Sequence, residues 1–233
     1  MIVRAAVVPH PPLLVPELVG GVDGDVTVLR AACLAAATRL TSAASRWVAV
    51  GSGPAGVVGP DAVGTFAGFG VDVRVRLSAA ATAEPDGSMP LPALIAGWLR
   101  QQVRADDVTV HLVPPDLPPE DCYALGERLA EDPEPVGLLV VGDGSHRHGD
   151  RAPGRPDERA GPFDDAVHDA LAAADAKGLQ ALDPKLAEEL GAAGRAPWQV
   201  LAGAMGEGRW TADARLLVPF GVAYHLAVLD PIR

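Results

Sequence analysis

The sequence predicts an α/β fold in one large domain, residues 1–233, and three features carry that expectation. A wholly apolar run, Gly137 to Val141, stops abruptly at Gly142-Asp143-Gly144 and reads as a strand buried on both faces. A second β-rich run, Ile2 to Val8, opens the chain and stops at Pro9-His10-Pro11-Pro12. Between and after these, strand-like runs alternate with segments of helical periodicity. In an open α/β sheet ligands bind outside the carboxyl ends of the strands, so the turns after these two runs are the first place to look for chemistry.

Taken in order, the opening strand ends in a turn whose prolines restrict the backbone on both sides of His10. A Gly- and Pro-rich loop, Pro16 to Gly24, leads to a helix expected from a cap at Asp25 to about Ala44. The next strand, Trp47 to Val50, runs into the Gly-rich mouth Gly51-Ser52-Gly53-Pro54-Ala55-Gly56, which spells neither a dinucleotide fingerprint nor a P-loop. Val71 to Leu77 alternates apolar and charged residues like a half-exposed strand. Helices are predicted over Leu91–Val103 and Pro118–Ala130, with a strand over Val108–Val113 between them. After the central strand, Arg147 to Gly161 is charged and rich in Pro and Gly, and reads as a long loop at the mouth of the site. Helices follow over Phe163–Ala176, Pro184–Leu190 and Pro197–Met205, the last opened by proline in the favoured first turn. Asp213–Pro219 and Val222–Leu229 close the chain as a β-hairpin.

Composition narrows the function classes. The chain carries 30 acidic against 19 basic residues, a net charge of −11, with the basic residues scattered. Such a field disfavours nucleic acid and anionic membrane surfaces as partners. No window approaches the roughly 18 apolar residues of a membrane span, and the N-terminus lacks a secretory pattern, so the expectation is a soluble, cytoplasmic protein. Cys33 and Cys122 share no metal-ligand spacing and read as structural thiols. A homo-oligomer is the ordinary prior for such a chain and nothing more.

His10, Asp143, His146 and His148 are four potential ligands or proton carriers at two strand ends. Imidazole with carboxylate suits Fe(II), Mn(II) or Zn(II), and two histidines with one carboxylate are the set used by non-haem iron oxygenases. The same groups, without metal, titrate near neutral pH and serve as general acid and base. The plainer alternative has Asp143 accepting turn N–H groups and His148 solvated in its loop. Ser52 is a candidate contact for a substrate oxyanion. His111 and His168 read as a strand residue and a surface residue, and Trp198 and Trp210 as packing. Arg147, Arg151, Arg155 and Arg159 either meet a substrate carboxylate or are simply solvated.

The opening VVPHPP, the central GDGSHRH followed by Gly161-Pro162-Phe163-Asp164, and the closing Phe220-Gly221-Val222-Ala223-Tyr224 together resemble the LigB superfamily. That superfamily contains the catalytic subunits of class III extradiol dioxygenases and the MEMO proteins. The resemblance implies a three-layer α/β/α fold with a mixed, mostly parallel central sheet. In the active dioxygenases it implies a ferrous ion held by two histidines and a glutamate, with a further histidine as acid/base. His10 matches the first metal histidine and His146 the acid/base histidine, with Asp143 the acidic residue that precedes it in part of the family. His225, beside Tyr224, falls in a region that backs the family's pocket, although a packed strand histidine is the more ordinary reading.

Two of the expected ligands have no counterpart. The second metal histidine belongs just after the second strand, where this chain reads Gly51-Ser52-Gly53-Pro54. The glutamate belongs near Ala192 to Trp198, where it reads AAGRAPW, with Glu188 and Glu189 a turn or more away. Three readings follow. One is an enzyme with a rearranged site, His10, Asp143 and His146, joined by Ser52, His148 and His225 around a small, in the family aromatic, substrate, with or without a divalent metal. Another is a non-catalytic module binding a small molecule or a protein. The third, on fold analogy alone, is an active Fe(II) extradiol dioxygenase.

Overall fold

The computed structural model describes residues 1–21 and 23–232. Val22, within the loop expected over 16–24, and Arg233 lie outside the described residues. The chain builds β1 (Ile2–Val8), α1 (Gly24–Ala43), β2 (Arg46–Ser52), three short strands β3 (Gly56–Val58), β4 (Val63–Thr65) and β5 (Arg74–Arg76), then α2 (Leu91–Val103) and β6 (Asp107–Val113). It continues through α3 (Pro119–Ala130), β7 (Val136–Val141), α4 (Ala160–Ala172), α5 (Ala176–Gln180), α6 (Pro184–Leu190), α7 (Arg195–Met205), β8 (Trp210–Leu217) and β9 (Tyr224–Pro231).

Seven strands form one sheet in the order β3-β6-β2-β7-β1-β9-β8. Its heart, β6-β2-β7-β1, is parallel, while β3 and β9 run the other way. Every residue of β7 is buried, as an apolar run covered on both faces requires. Side-chain alternation sorts the core into two layers. Ala6 and Val8 of β1, with Leu139 and Val141 of β7, pack under α1 and α2. Ala5, Val7, Leu138 and Val140 pack on the other face against α3, α4 and α7. The architecture is therefore the expected three-layer α/β/α sandwich around a mixed, mostly parallel sheet.

Several boundaries differ from expectation for local reasons. Asp23, not Asp25, caps α1, its side chain accepting the N–H groups of Asp25 and Val26. The helix expected over Phe163–Ala176 is two helices, broken at Ala174, which adopts φ +50°, and restarted by Asp175 capping Lys177 N–H. Only Arg74–Arg76 of the alternating run is strand; it pairs with β4 in a separate two-stranded ladder. The last helix begins at Arg195, two residues before Pro197. Cys33 and Cys122 are buried free thiols. No described helix is long and apolar enough to cross a membrane.

Candidate functional site

β1 and β7 are neighbours in parallel register, Val8 opposite Val141, so the turns that follow them leave the same edge of the sheet. Gly142 N–H continues the ladder by donating to Val8 O at 3.0 Å. One residue further, the His10 backbone N–H donates to Asp143 Oδ1 at 2.8 Å. The His10 ring follows, with Nδ1 3.4 Å from the same oxygen. Both side chains are mostly buried, 12% and 20% exposed. Burial alone lowers the His10 pKa, but the charge and contact of Asp143 outweigh it, and the net shift is upward from 6.5. The carboxylate is felt beyond this pair. Burial first, and then the charge of Asp143, raises the Tyr224 hydroxyl and the Cys33 thiol.

A second polar centre lies on the following residues. Asp164, on α4, is fully buried, yet its carboxylate is saturated by donors. The Ser145 N–H reaches it at 3.2 and 3.3 Å. His148 Nε2 stands 2.7 Å from Oδ2 and His225 Nε2 stands 2.8 Å from Oδ1. His225 is itself fully buried and packs edge-on against Trp198, with ring centroids 5.1 Å apart. Nothing in the sequence marked Asp164 beyond its place in the Gly161–Asp164 motif. Its partners stand 16, 19 and 61 residues away, a separation that local pattern does not report.

His146 sits between these centres in sequence and is held differently from both. Its backbone N–H donates to Leu190 O at 3.3 Å, and its carbonyl accepts Gly154 N–H at 3.1 Å. The ring is flanked by two glycines: a Cβ on Gly154 would overlap Nδ1, and one on Gly191 would overlap Nε2. Nδ1 is buried with no hydrogen-bond partner among the described residues. Gly191 is the left-handed C-cap of α6, φ +68°, a conformation that costs little only for glycine.

The remaining candidates are engaged by the protein itself. Ser52 Oγ, at the end of β2, donates to Ala193 O at 2.5 Å. Arg159 forms ion pairs with Asp157 and Glu189, each at 2.7 Å, tying the segment after His148 to α6. The Arg147 guanidinium reaches Arg155 O at 3.5 Å. His168 is half-buried, with Nδ1 enclosed, and not a free surface residue. His111 on β6 is half-buried, and burial lowers its pKa. Trp198 is core, and Trp210 Nε1 donates to Met205 O at 3.2 Å.

The donor set does not fit the usual ferrous site. Beside His10, the position of the second histidine is occupied by Ser52 and its glycines, and Ser52 is bonded to the very turn, at Ala193, where the glutamate is expected. Among the described residues no group of three or more His, Cys, Asp or Glu side chains is arranged to hold a metal ion. The two histidines and one carboxylate that do converge, His148, His225 and Asp164, face one another in direct hydrogen bonds.

Fold and site together define a class: a three-layer α/β/α protein with histidine–carboxylate pairs on the turns after its central parallel strands. Residues 88–223 match the family model described as the catalytic LigB subunit of aromatic ring-opening dioxygenase. That match covers more than half of the chain, which belongs to this family. Among solved structures, an uncharacterized protein, JW3007, from Escherichia coli K12 is similar over 98% of this chain and 99% of its own, with a TM-score of 0.52 and 14% identity. At that identity the likeness concerns the fold alone. No curated protein matches the chain.

Proposed function

We propose that the protein is a LigB-fold enzyme that moves a proton on a small substrate bound at the carboxyl ends of β1 and β7. The observation that carries this reading is the His10–Asp143 pair: a mostly buried imidazole whose pKa is raised by a carboxylate on the neighbouring strand end. A group tuned in that direction is protonated over more of the neutral range and can donate as well as accept. His10 with Asp143 and His146 are the working groups. Ser52 and His225 shape the surroundings through the hydrogen bonds they make to Ala193 and Asp164. Small aromatic molecules are the first class to screen, because the family description concerns aromatic ring opening. No step is routed through a metal, since the residues present do not complete the family's ligand set.

A second reading, a binding module without catalysis, is favoured by one observation. Gly191 and Ala193, which touch His146 and accept from Ser52, also line a cleft of about 460 Å³ with Pro115, Asp116, Lys185 and Glu188, a size that suits a small molecule. The two readings part under one experiment. The wild type, His10→Ala and His146→Ala are tested for binding and turnover of a phenol and catechol panel, with and without Fe(II), Mn(II) or Zn(II). Turnover lost in both variants at unchanged stability supports the enzyme. Binding without turnover, unaffected by either substitution, supports the module.

A further inference from the structure

We propose that His148, oriented by Asp164, is a proton-accepting catalytic residue of this site, a role that rests on the enzymatic reading above. Three features of His148 carry the proposal. Its Nε2 is fixed, 2.7 Å from a fully buried carboxylate. In the neutral ring that contact places the proton on Nε2 and the lone pair on Nδ1, which makes no hydrogen bond among the described residues and is not enclosed. The side chain is 18% exposed, so Nδ1 can meet a ligand. A nitrogen held by a buried carboxylate, with the other nitrogen free and accessible, is the geometry by which a histidine acts as base and its carboxylate stabilises the resulting imidazolium.

His146 lacks such an anchor: its Nδ1 is buried without a hydrogen-bond partner among the described residues, and no carboxylate among them holds its ring. His225 is fully buried and closed to any ligand. Its Nε2 meets the other oxygen of Asp164, and with the Ser145 N–H it fixes that carboxylate in place. In the step itself His148 Nδ1 takes a proton from a substrate O–H or N–H. The bond to hydrogen breaks with its electron pair left on the substrate, and the new imidazolium keeps its Nε2–H on Asp164. The segment Gly144–His148 is stitched to the start of β9 by Gly144 N–H to Ala223 O, Ala223 N–H to Ser145 O and His148 N–H to Gly221 O. His148 is thus fixed through its backbone as well as its ring.

The test is ethoxyformylation of the intact protein by diethyl pyrocarbonate, which attacks unprotonated, accessible imidazole nitrogen, followed by peptide mapping. His148 is expected to label several-fold faster than the fully buried His225. Asp164→Asn, which releases the tautomer, is expected to slow His148 roughly tenfold, while His111, on the far strand β6, keeps its rate. Labelling of His225 as fast as that of His148 in the wild type overturns the proposal, and this comparison needs no variant if Asp164→Asn does not fold. An unchanged His148 rate in folded Asp164→Asn overturns it as well. His10→Ala separates this claim from the reading it rests on. That variant is expected to lose turnover of the phenol and catechol panel yet label at His148 as the wild type does; a changed rate at His148 contradicts an independent His148–Asp164 pair.

Discussion

The His10 backbone N–H donates to Asp143 Oδ1 at 2.8 Å, so a carboxylate on the turn after β7 holds the turn after β1. The same oxygen stands 3.4 Å from the His10 ring. One side chain therefore sets both the backbone and the charge of the site. Asp143→Ala removes the acceptor of a charge-assisted hydrogen bond and is expected to cost about 1.5–3 kcal/mol. Asp143→Asn keeps an acceptor oxygen and is expected to cost less. Urea denaturation of both variants checks the order; equal losses show that the backbone bond is not what matters.

The raised His10 pKa makes stability depend on pH in a definite sense. The folded protein binds this proton more tightly than the unfolded chain, whose value is near 6.5. The contribution is fully present below that value and is lost as pH rises through the folded pKa. His111, lowered by burial, works in the opposite sense, so the His10 contribution is read as the difference between wild type and Asp143→Asn. That difference is expected to shrink from pH 6 to pH 9 (about the range that spans an upshifted histidine). A difference that grows with pH contradicts the assignment.

Asp164 is fully buried and accepts from three groups. Asp164→Ala leaves two imidazoles and the Ser145 N–H without their acceptor, and is expected to destabilise by about 3–5 kcal/mol, the scale for breaking a buried pair by removing one partner. A loss under about 1 kcal/mol, the scale of a net ordinary hydrogen bond, rules out Asp164 as the anchor of this segment.

Much of the framework was readable from sequence. The periodicity of Leu91–Val103 and the Pro184 start predict α2 and α6 at the residues they occupy, because both are short local decisions of propensity and capping. The two strand ends and their meeting were readable too, since Pro9 and Gly142 punctuate strongly apolar runs. The β3 and β4 strands were not, being three residues each, with β3 paired to the distant β6 and β4 to the equally short β5. Asp164 escaped notice because it lies on a helix face that looks like any other until β9 and the turn after β7 are brought to it. His146 was legible as a candidate beside His10 and Asp143, but its setting between Gly154 and Gly191 was not, since the meaning of those two glycines appears only once the ring is placed.

Those glycines give a further expectation. Gly191→Ala forces an alanine into φ +68° and against the His146 ring, and is expected to cost about 1–2 kcal/mol from the backbone alone, with a shifted His146 imidazole resonance. Gly59→Ala, at a glycine with open space around it and no positive φ, serves as the control and should change neither stability nor that resonance. Equal behaviour of the two variants would show that the packing around His146 is loose.

The most direct measurement of the central claim is the NMR titration of the His10 imidazole in the wild type and in Asp143→Asn. The account predicts a His10 pKa above 6.5 in the wild type and a fall below it in Asp143→Asn, where burial acts without the carboxylate. A wild-type His10 that titrates at or below its ordinary value, or one indifferent to Asp143→Asn, contradicts the claim that this pair is the working centre of the site.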